Sequence, residues 1–249
     1  MVVTNILLYF FKDWRMVVLN KLFNIWANVL FTYLETYFPN PVYVSYDPEI
    51  LKMNKSIIIS NHTSDYDWLF LMVILYRMGR FKDMCIMLKQ ELQEVPVFGH
   101  AMNVLGFIFL VRNIEYDKDI IHKGVMKLKN KDSYDLLIFP EGTYITPKTY
   151  KRTMDYLEKN KMYVNGELYK PKNSLAPKTT GFNLLLDDLK DDIDGVIDVT
   201  MLTTPYTQYP HEVHTFKKIF LEESGELSST LLLDYIPSEK VKPRQLLPL

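Results

Sequence analysis

A single cysteine, Cys85, occurs in the 249 residues. No internal disulfide can form, which favours a reducing, cytosol-facing setting. Glycine is scarce, nine in all, and no G-x-S-x-G elbow marks a hydrolase nucleophile beside Ser64. Neither sign of charge dominates. Lysine and arginine number 29 and the acids 30, for a net charge of −1, which excludes a general nucleic-acid binder. The N-terminus also lacks a long apolar run. "VVTNILLYFF" (Val2 to Phe11) is cut short by "KDWR", whereas a spanning helix needs about 20 apolar residues. No small-residue cleavage site follows, so no signal peptide is expected. Internal repeats and low-complexity tracts are absent as well.

What is present is an apolar fraction of 48%, enough for a core and unlike a disordered chain. Tyrosine (17) and phenylalanine (14) are abundant. Rings with a polar tip suit contact with lipid or ligand. From Met16 to Phe38, Lys21, Asn24, Asn28, Thr32 and Glu35 form a polar stripe. Leu22, Phe23, Ile25, Trp26, Val29, Leu30 and Tyr33 fill a broad apolar surface. This predicts an amphipathic helix lying in the membrane interface, with Trp26, Tyr33 and Tyr37 near the headgroups. The expected organisation is membrane-associating helices over 1–40, one domain over 41–235 and a loosely held tail over 236–249.

Strand-like runs then alternate with helical ones. "SIIIS" (Ser56 to Ser60), "MCIMLK" (Met84 to Lys89), "FIFLV" (Phe107 to Val111), "YDLLIF" (Tyr134 to Phe139) and "GVIDVTML" (Gly195 to Leu202) read as buried strands. Asp67 to Gly79 and Asp117 to Asn130 read as helices, the first ending at a glycine. "EVHTFKKIFL" (Glu212 to Leu221) alternates like an edge strand. Together these predict a single α/β domain with a mostly parallel sheet flanked by helices. Thr146 to Lys172, with Lys148, Lys151, Arg152, Lys159, Lys161, Lys170 and Lys172, is a basic surface insertion of helix and loop. Asp187, Asp188, Asp191, Asp192 and Asp194 read as a solvated helix face rather than a metal site.

The chemistry gathers at strand ends. In "NHTSDYD", His62 follows a strand and Asp67 opens a helix. The turn Thr63 to Tyr66 can bring the carboxylate to one imidazole nitrogen. That fixes the tautomer and leaves the other nitrogen as a general base. Asp65 is expected to cap the helix. "FPEGT" puts Glu141 between a proline and the turn glycine Gly142, followed by Thr143. Arg112 and Lys89 close two further strands, and a guanidinium at a strand end is suited to phosphate. A base, two cations and an acid at four strand ends read as one site. "HEVH" (His211 to His214) lacks zinc-site spacing and a third ligand, so no metal is expected. The sequons "NHT" and "NKS" imply no modification.

These blocks carry a resemblance. "NHTSDYD" resembles the NHxxxxD block of the glycerolipid acyltransferases, and "GFIFLVR" resembles their second block. "FPEGT" matches the third, and "KQELQEVPVFGHAMNVLG" is similar to the segment between the first two. "LAPKTTGF" is similar to a "PRTTGF"-like stretch of the branch that includes lysocardiolipin and lysophosphatidylinositol acyltransferases, with Lys178 where that branch has arginine. Three ordered blocks are far more specific than one. The resemblance implies a domain like that of glycerol-3-phosphate acyltransferase. It also implies transfer of a fatty acyl group from acyl-CoA, a co-substrate, to the free hydroxyl of a lysophospholipid, with lysophosphatidate first and lysocardiolipin or lysophosphatidylinositol as alternatives. No further cofactor and no covalent intermediate are implied. His62 and Asp67 are the implied catalytic pair. Arg112 would hold the acceptor phosphate with Lys89 as helper. Glu141, Gly142 and Thr143 would shape the acceptor site. The oxyanion donors stay open between turn amides near Gly142 and the Asn61 side chain. The basic insertion suits CoA phosphates, an anionic bilayer or plain solvent. A bilayer partner and an endoplasmic-reticulum membrane with a cytosol-facing site follow from the family. From another class, a non-catalytic lipid-binding scaffold on the same fold is the alternative.

Overall fold

The elements follow from short β-branched runs that must bury both faces. In the computed structural model, "KSIII" becomes strand β2 (Lys55–Ser60), buried from Ser56 onward. It lies between β5 (Tyr134–Ile138), pairing Ile57 with Leu136, and β8 (Gly195–Thr204), pairing Ile57 with Val196. Fully burying such a side chain contributes about 1.5–3 kcal/mol. The structure describes residues 21, 25, 28–34, 36–95, 99, 102–103, 105–164 and 166–241.

Seven strands form one sheet in the order β1-β9-β8-β2-β5-β3-β4. The outer members are β1 (Val42–Tyr46), β3 (Met84–Lys89), β4 (Ile108–Leu110) and β9 (Ser228–Pro237). Every neighbouring pair is parallel except β8–β9. The expected α/β domain with a mostly parallel sheet flanked by helices is therefore what the chain forms. Helices α1 (Asp67–Arg77), α2 (Ile114–Lys129), α3 (Pro147–Asn160) and α4 (Thr179–Leu189) lie between strands. α2 buries Ile121, Val125 and Leu128, and α4 buries Phe182, Leu185, Leu186 and Leu189. These join Ile57, Ile59, Leu136, Ile138 and Val196 in one core. Strand side chains alternate between faces, so Ile58 and Leu137 are buried on the opposite side.

Because β2, β5, β3 and β4 run the same way, their C-terminal ends open onto one edge, and each is followed by a residue singled out in the sequence. At the other end, buried Arg80 donates to Asp135 through Nε at 2.9 Å and Nη2 at 2.5 Å. It also caps the carbonyls of Ile50 and Met53, and Ser56 donates to Asp135 at 2.5 Å.

Two expectations need correction. Glu212 to Leu221 is not an edge strand. It forms α5 (Pro210–Val213) and α6 (Phe216–Phe220). Thr215 caps α6 and Phe220 and Ile219 are buried, so a helical period and a capping hydroxyl override the apparent alternation. The expected tail over 236–249 begins inside β9, which pairs with β8 from Ser228 to Pro237, and its residues 242–249 lie outside the described residues. β1 and β9 went unread because both are partly exposed: β1 presents Tyr43, Ser45 and Tyr46 to the outside, and β9 breaks its Leu231–Leu233 run with Asp234. The expected insertion is α3 followed by a small hairpin, β6 (Tyr163–Val164) and β7 (Glu167–Leu168).

The chain divides into residues 1–38 and 39–249. In the first unit the described residues are helical from 28 to 34 and at 36–37, and Ile25, Val29, Tyr33 and Tyr37 are exposed at every fourth position. Residues 1–20, 22–24, 26–27 and 35, and with them Trp26 and much of the expected amphipathic pattern, lie outside the described residues. Among the described residues, no helix is long and apolar enough to cross a membrane.

Candidate active site

His62 sits just past β2, and its Nδ1 lies 3.0 Å from Asp67 Oδ2. Asp67 is the first residue of α1 and is 1% exposed. Its Oδ2 also accepts the N–H groups of Thr63 at 2.6 Å and Ser64 at 3.0 Å. Its Oδ1 accepts the hydroxyls of Thr63 at 2.9 Å and Ser64 at 2.6 Å. The turn therefore folds around the carboxylate and supplies the donors that a buried charge requires. With Nδ1–H donated to Asp67, the tautomer leaves Nε2 as an acceptor. Nε2 has no partner among the described residues and is not sealed off.

Asp65 does not cap the helix. Tyr66 is the N-cap, without a side-chain cap bond. Asp65 is exposed and lies 3.4 Å from His211 Nδ1, and its carbonyl accepts the Trp68 indole N–H. Asp67 takes the local donors instead because only its carboxylate is buried among them.

The loop after β5 grips His62 on several sides. Phe139 stacks on the imidazole at 4.2 Å between centroids, and Tyr144 meets it edge-on at 5.7 Å. Ile145 N–H donates to the His62 carbonyl at 3.1 Å. Glu141 is buried and accepts the His62 N–H at 3.1 Å and the Leu175 N–H at 2.8 Å. Burial pushes its pKa up to about 8, against the lowering effect of those two N–H bonds. Glu141 is thus a brace between β2, its own loop and the segment before α4.

The other expected residues fall as follows. Gly142 holds φ +71°, which favours glycine, and its N–H donates to Phe139. Arg112 is exposed at the end of β4 with φ +65°, and its Nη2 donates to the Gly142 carbonyl at 3.0 Å. Thr143 is half-buried beside Gly142. Lys89 is exposed at the end of β3, level with Leu110 of β4. Asn61 is bracketed to β8: its amide donates to the Met201 carbonyl at 2.9 Å and accepts the Met201 N–H at 2.7 Å.

Three neighbours were missed. Tyr144 directly follows "FPEGT", and its ring packs on His211 at 4.4 Å. His211 reaches the site because α5 is a helix and not a strand. Lys178, visible only as a departure from the resembled stretch, lies against Gly142. Apart from these three, His214 of the same "HEVH" run is buried and donates from Nε2 to the Pro205 carbonyl at 2.8 Å. Among the described residues, no group of three His, Cys, Asp or Glu could hold a metal ion.

A family model described as Acyltransferase matches residues 42–185, which include the whole of this edge up to α4. The chain belongs to the acyltransferase family. Among relatives, lysocardiolipin acyltransferase 1 of Mus musculus is 32% identical over 237 residues, covering 94% of this chain and 61% of that protein. Its counterpart from Danio rerio is 35% identical over 173 residues, covering 64% and 43%. Lysophosphatidylinositol acyltransferase 10 of Caenorhabditis elegans is 29% identical over 208 residues, covering 81% and 51%. The chain spans about half the length of the curated relatives it matches. A crystal structure of a 1-acyl-sn-glycerophosphate acyltransferase from Thermotoga maritima aligns with TM-score 0.46 at 19% identity, covering 94% of this chain and 75% of that one.

Proposed function

We propose that this member of the acyltransferase family moves an acyl group from acyl-CoA to the free hydroxyl of a lysophospholipid, with lysophosphatidate as acceptor. One observation carries the reading: His62 is pinned through Nδ1 to a fully bonded Asp67 while Nε2 stays open. An unactivated hydroxyl is a poor nucleophile. Nε2 takes its proton as the oxygen attacks the thioester carbonyl, and the Asp67 carboxylate balances the charge that develops on the ring. The tetrahedral oxyanion collapses, the C–S bond breaks, and the imidazolium returns its proton to the CoA thiolate. Ester and free CoA leave, and no enzyme nucleophile is used.

The oxyanion needs donors that are not already engaged. Gly142 N–H and the Asn61 amide both have partners. The N–H groups of Thr143 and Tyr144 have no acceptor among the described residues, and both lie in the loop around His62. They are the donors in this reading. Arg112 faces the acceptor phosphate, with Lys89 further along the same edge. The exposed stripe of Ile25, Val29, Tyr33 and Tyr37 suits a bilayer surface from which a lysolipid is drawn. The printed names of the relatives, lysocardiolipin and lysophosphatidylinositol acyltransferase, support the same class of acceptor.

The test is an assay of purified protein with labelled palmitoyl-CoA and lysophosphatidate. Turnover in the wild type, lost in His62→Ala with vesicle binding retained, is the expected result. Binding without turnover by the wild type would instead favour a lipid-binding scaffold.

A further inference from the structure

Among the described residues, the positive charge around Gly142 has no carboxylate partner. Arg112 anchors on the Gly142 carbonyl at 3.0 Å. Lys178 lies across the same residue: a β-carbon built on Gly142 would stand 3.2 Å from Lys178 Nζ and 3.5 Å from its Cδ. The root of Lys178 is fixed, since its N–H donates to the Pro140 carbonyl at 2.7 Å. The Lys178 ammonium has no hydrogen-bond or carboxylate partner among the described residues, and neither does Arg152 of α3. Burial lowers the pKa of Lys178, and Arg112 and Arg152 lower it further. Like charges therefore share one partly desolvated space. The carboxyl next to Gly142 does not offset them, because Glu141 is buried and braced by two backbone N–H groups. Lys178 is also the N-cap of α4, whose first turn holds no acid and whose cap makes no side-chain bond. Its open N–H groups add partial positive charge.

We infer that Lys178, together with Arg112 and with Arg152 at the rim, forms a subsite for a phosphomonoester dianion and selects acceptors with a terminal phosphate over phosphodiester ones. The inference rests on the acyl-transfer reading and narrows its substrate. A phosphomonoester carries about −1.5 to −2 charges at neutral pH, whereas a diester carries one and presents a bulky substituent where a cation would sit. A compact ammonium suits this place better than a planar guanidinium, because the gap above Gly142 is narrow. The 3′-phosphate of CoA is also a phosphomonoester, so the test must separate donor from acceptor.

Purified wild type, Lys178→Met and Lys178→Arg are assayed with palmitoyl-CoA against lysophosphatidate, lysophosphatidylinositol and lysophosphatidylglycerol. The wild type is expected to favour lysophosphatidate in kcat/KM by about tenfold, the scale of one charge-assisted contact. Lys178→Met raises KM for lysophosphatidate by about tenfold, leaves KM for palmitoyl-CoA unchanged, and narrows the preference. Lys178→Arg, with a planar fork in place of a compact ammonium, restores only part of it. Equal kcat/KM for the diester acceptors overturns the inference. So does a shift in KM for palmitoyl-CoA that disappears with its 3′-dephospho analogue. A second readout needs no turnover: glycerol 3-phosphate raises Tm of the wild type but not of Lys178→Met, and glycerophosphoglycerol raises neither. If that pattern holds while no acceptor is acylated, the subsite stands and the acyl-transfer reading falls. If acylation occurs and glycerol 3-phosphate shifts Tm of both proteins alike, the subsite falls and acyl transfer stands.

Discussion

Glu141 Oε1 accepts the backbone N–H of His62 at 3.1 Å. An acid read from the sequence as part of an acceptor site therefore also fixes the main chain of the candidate base. Chemistry and scaffold share residues at this edge of the sheet, and variants there should separate the two roles.

Asp67→Asn tests the pair. An amide can still accept from the turn, but its NH2 group must face one of the five donors. The imidazole then loses the acceptor that fixes its tautomer. The expected loss in kcat is about 10²–10⁴-fold, with KM for acyl-CoA little changed and vesicle binding intact. Steady-state kinetics checks it, and near-normal kcat would remove Asp67 from the mechanism.

Arg112 occupies φ +65°, where a β-carbon is strained. Arg112→Gly should therefore be more stable than Arg112→Ala by about 1 kcal/mol. Both should raise KM for the phosphorylated acceptor. Denaturant midpoints and acceptor kinetics on the two variants give the comparison, and the opposite order of stability would show that the backbone relaxes away from this conformation.

Glu141 predicts a pH dependence with a definite sign. Burial raises its pKa from 4.5 to about 8 in the folded protein. Between those values the folded state holds a proton that the unfolded state has lost. Its contribution to stability is full below about 4.5 and fades as pH rises through about 8, by at most about 1.4 kcal/mol per pH unit. Glu141→Gln cannot titrate, so the fall in Tm between pH 5 and 8 should flatten relative to wild type. Parallel curves would assign the wild-type slope to other groups.

Asp135→Ala leaves the Arg80 guanidinium buried without its partner. The expected cost is about 3–5 kcal/mol, seen as a lower denaturant midpoint. Arg80→Met with Asp135→Leu removes both charges and should recover much of it. Because this pair lies at the opposite end of β5 from Glu141, acceptor KM in the double variant should stay within about twofold.

The legible parts of the sequence were those where one local signal sufficed. β2, β3, β5 and β8 announced themselves as dense apolar runs with polar ends, and parallel pairing then brought His62, Lys89, Arg112 and Glu141 to one edge. β1 and β9 were hidden because a half-exposed strand in a mixed region resembles a loop. Glu212 to Leu221 misled because its apolar spacing fits two periods, and Thr215 decides between them through its cap. Within "NHTSDYD" the pairing of Asp67 with His62 was legible, whereas the cap expected of Asp65 failed on burial, which spacing does not reveal. Lys178 and His211 were visible as letters, yet their place beside Gly142 and Tyr144 arises from contacts distant in sequence.

The stretch from Thr146 to Ser174 leaves and returns through one clasp. Just before it, Ile145 is tied to the His62 carbonyl, and just after it, Leu175 is tied to Glu141. With both feet fastened to the catalytic rim, α3 and its small hairpin are mechanically insulated from the base. Arg152 apart, the excursion is therefore a natural place for drift: its length and surface can be rewritten while the imidazole stays where it is.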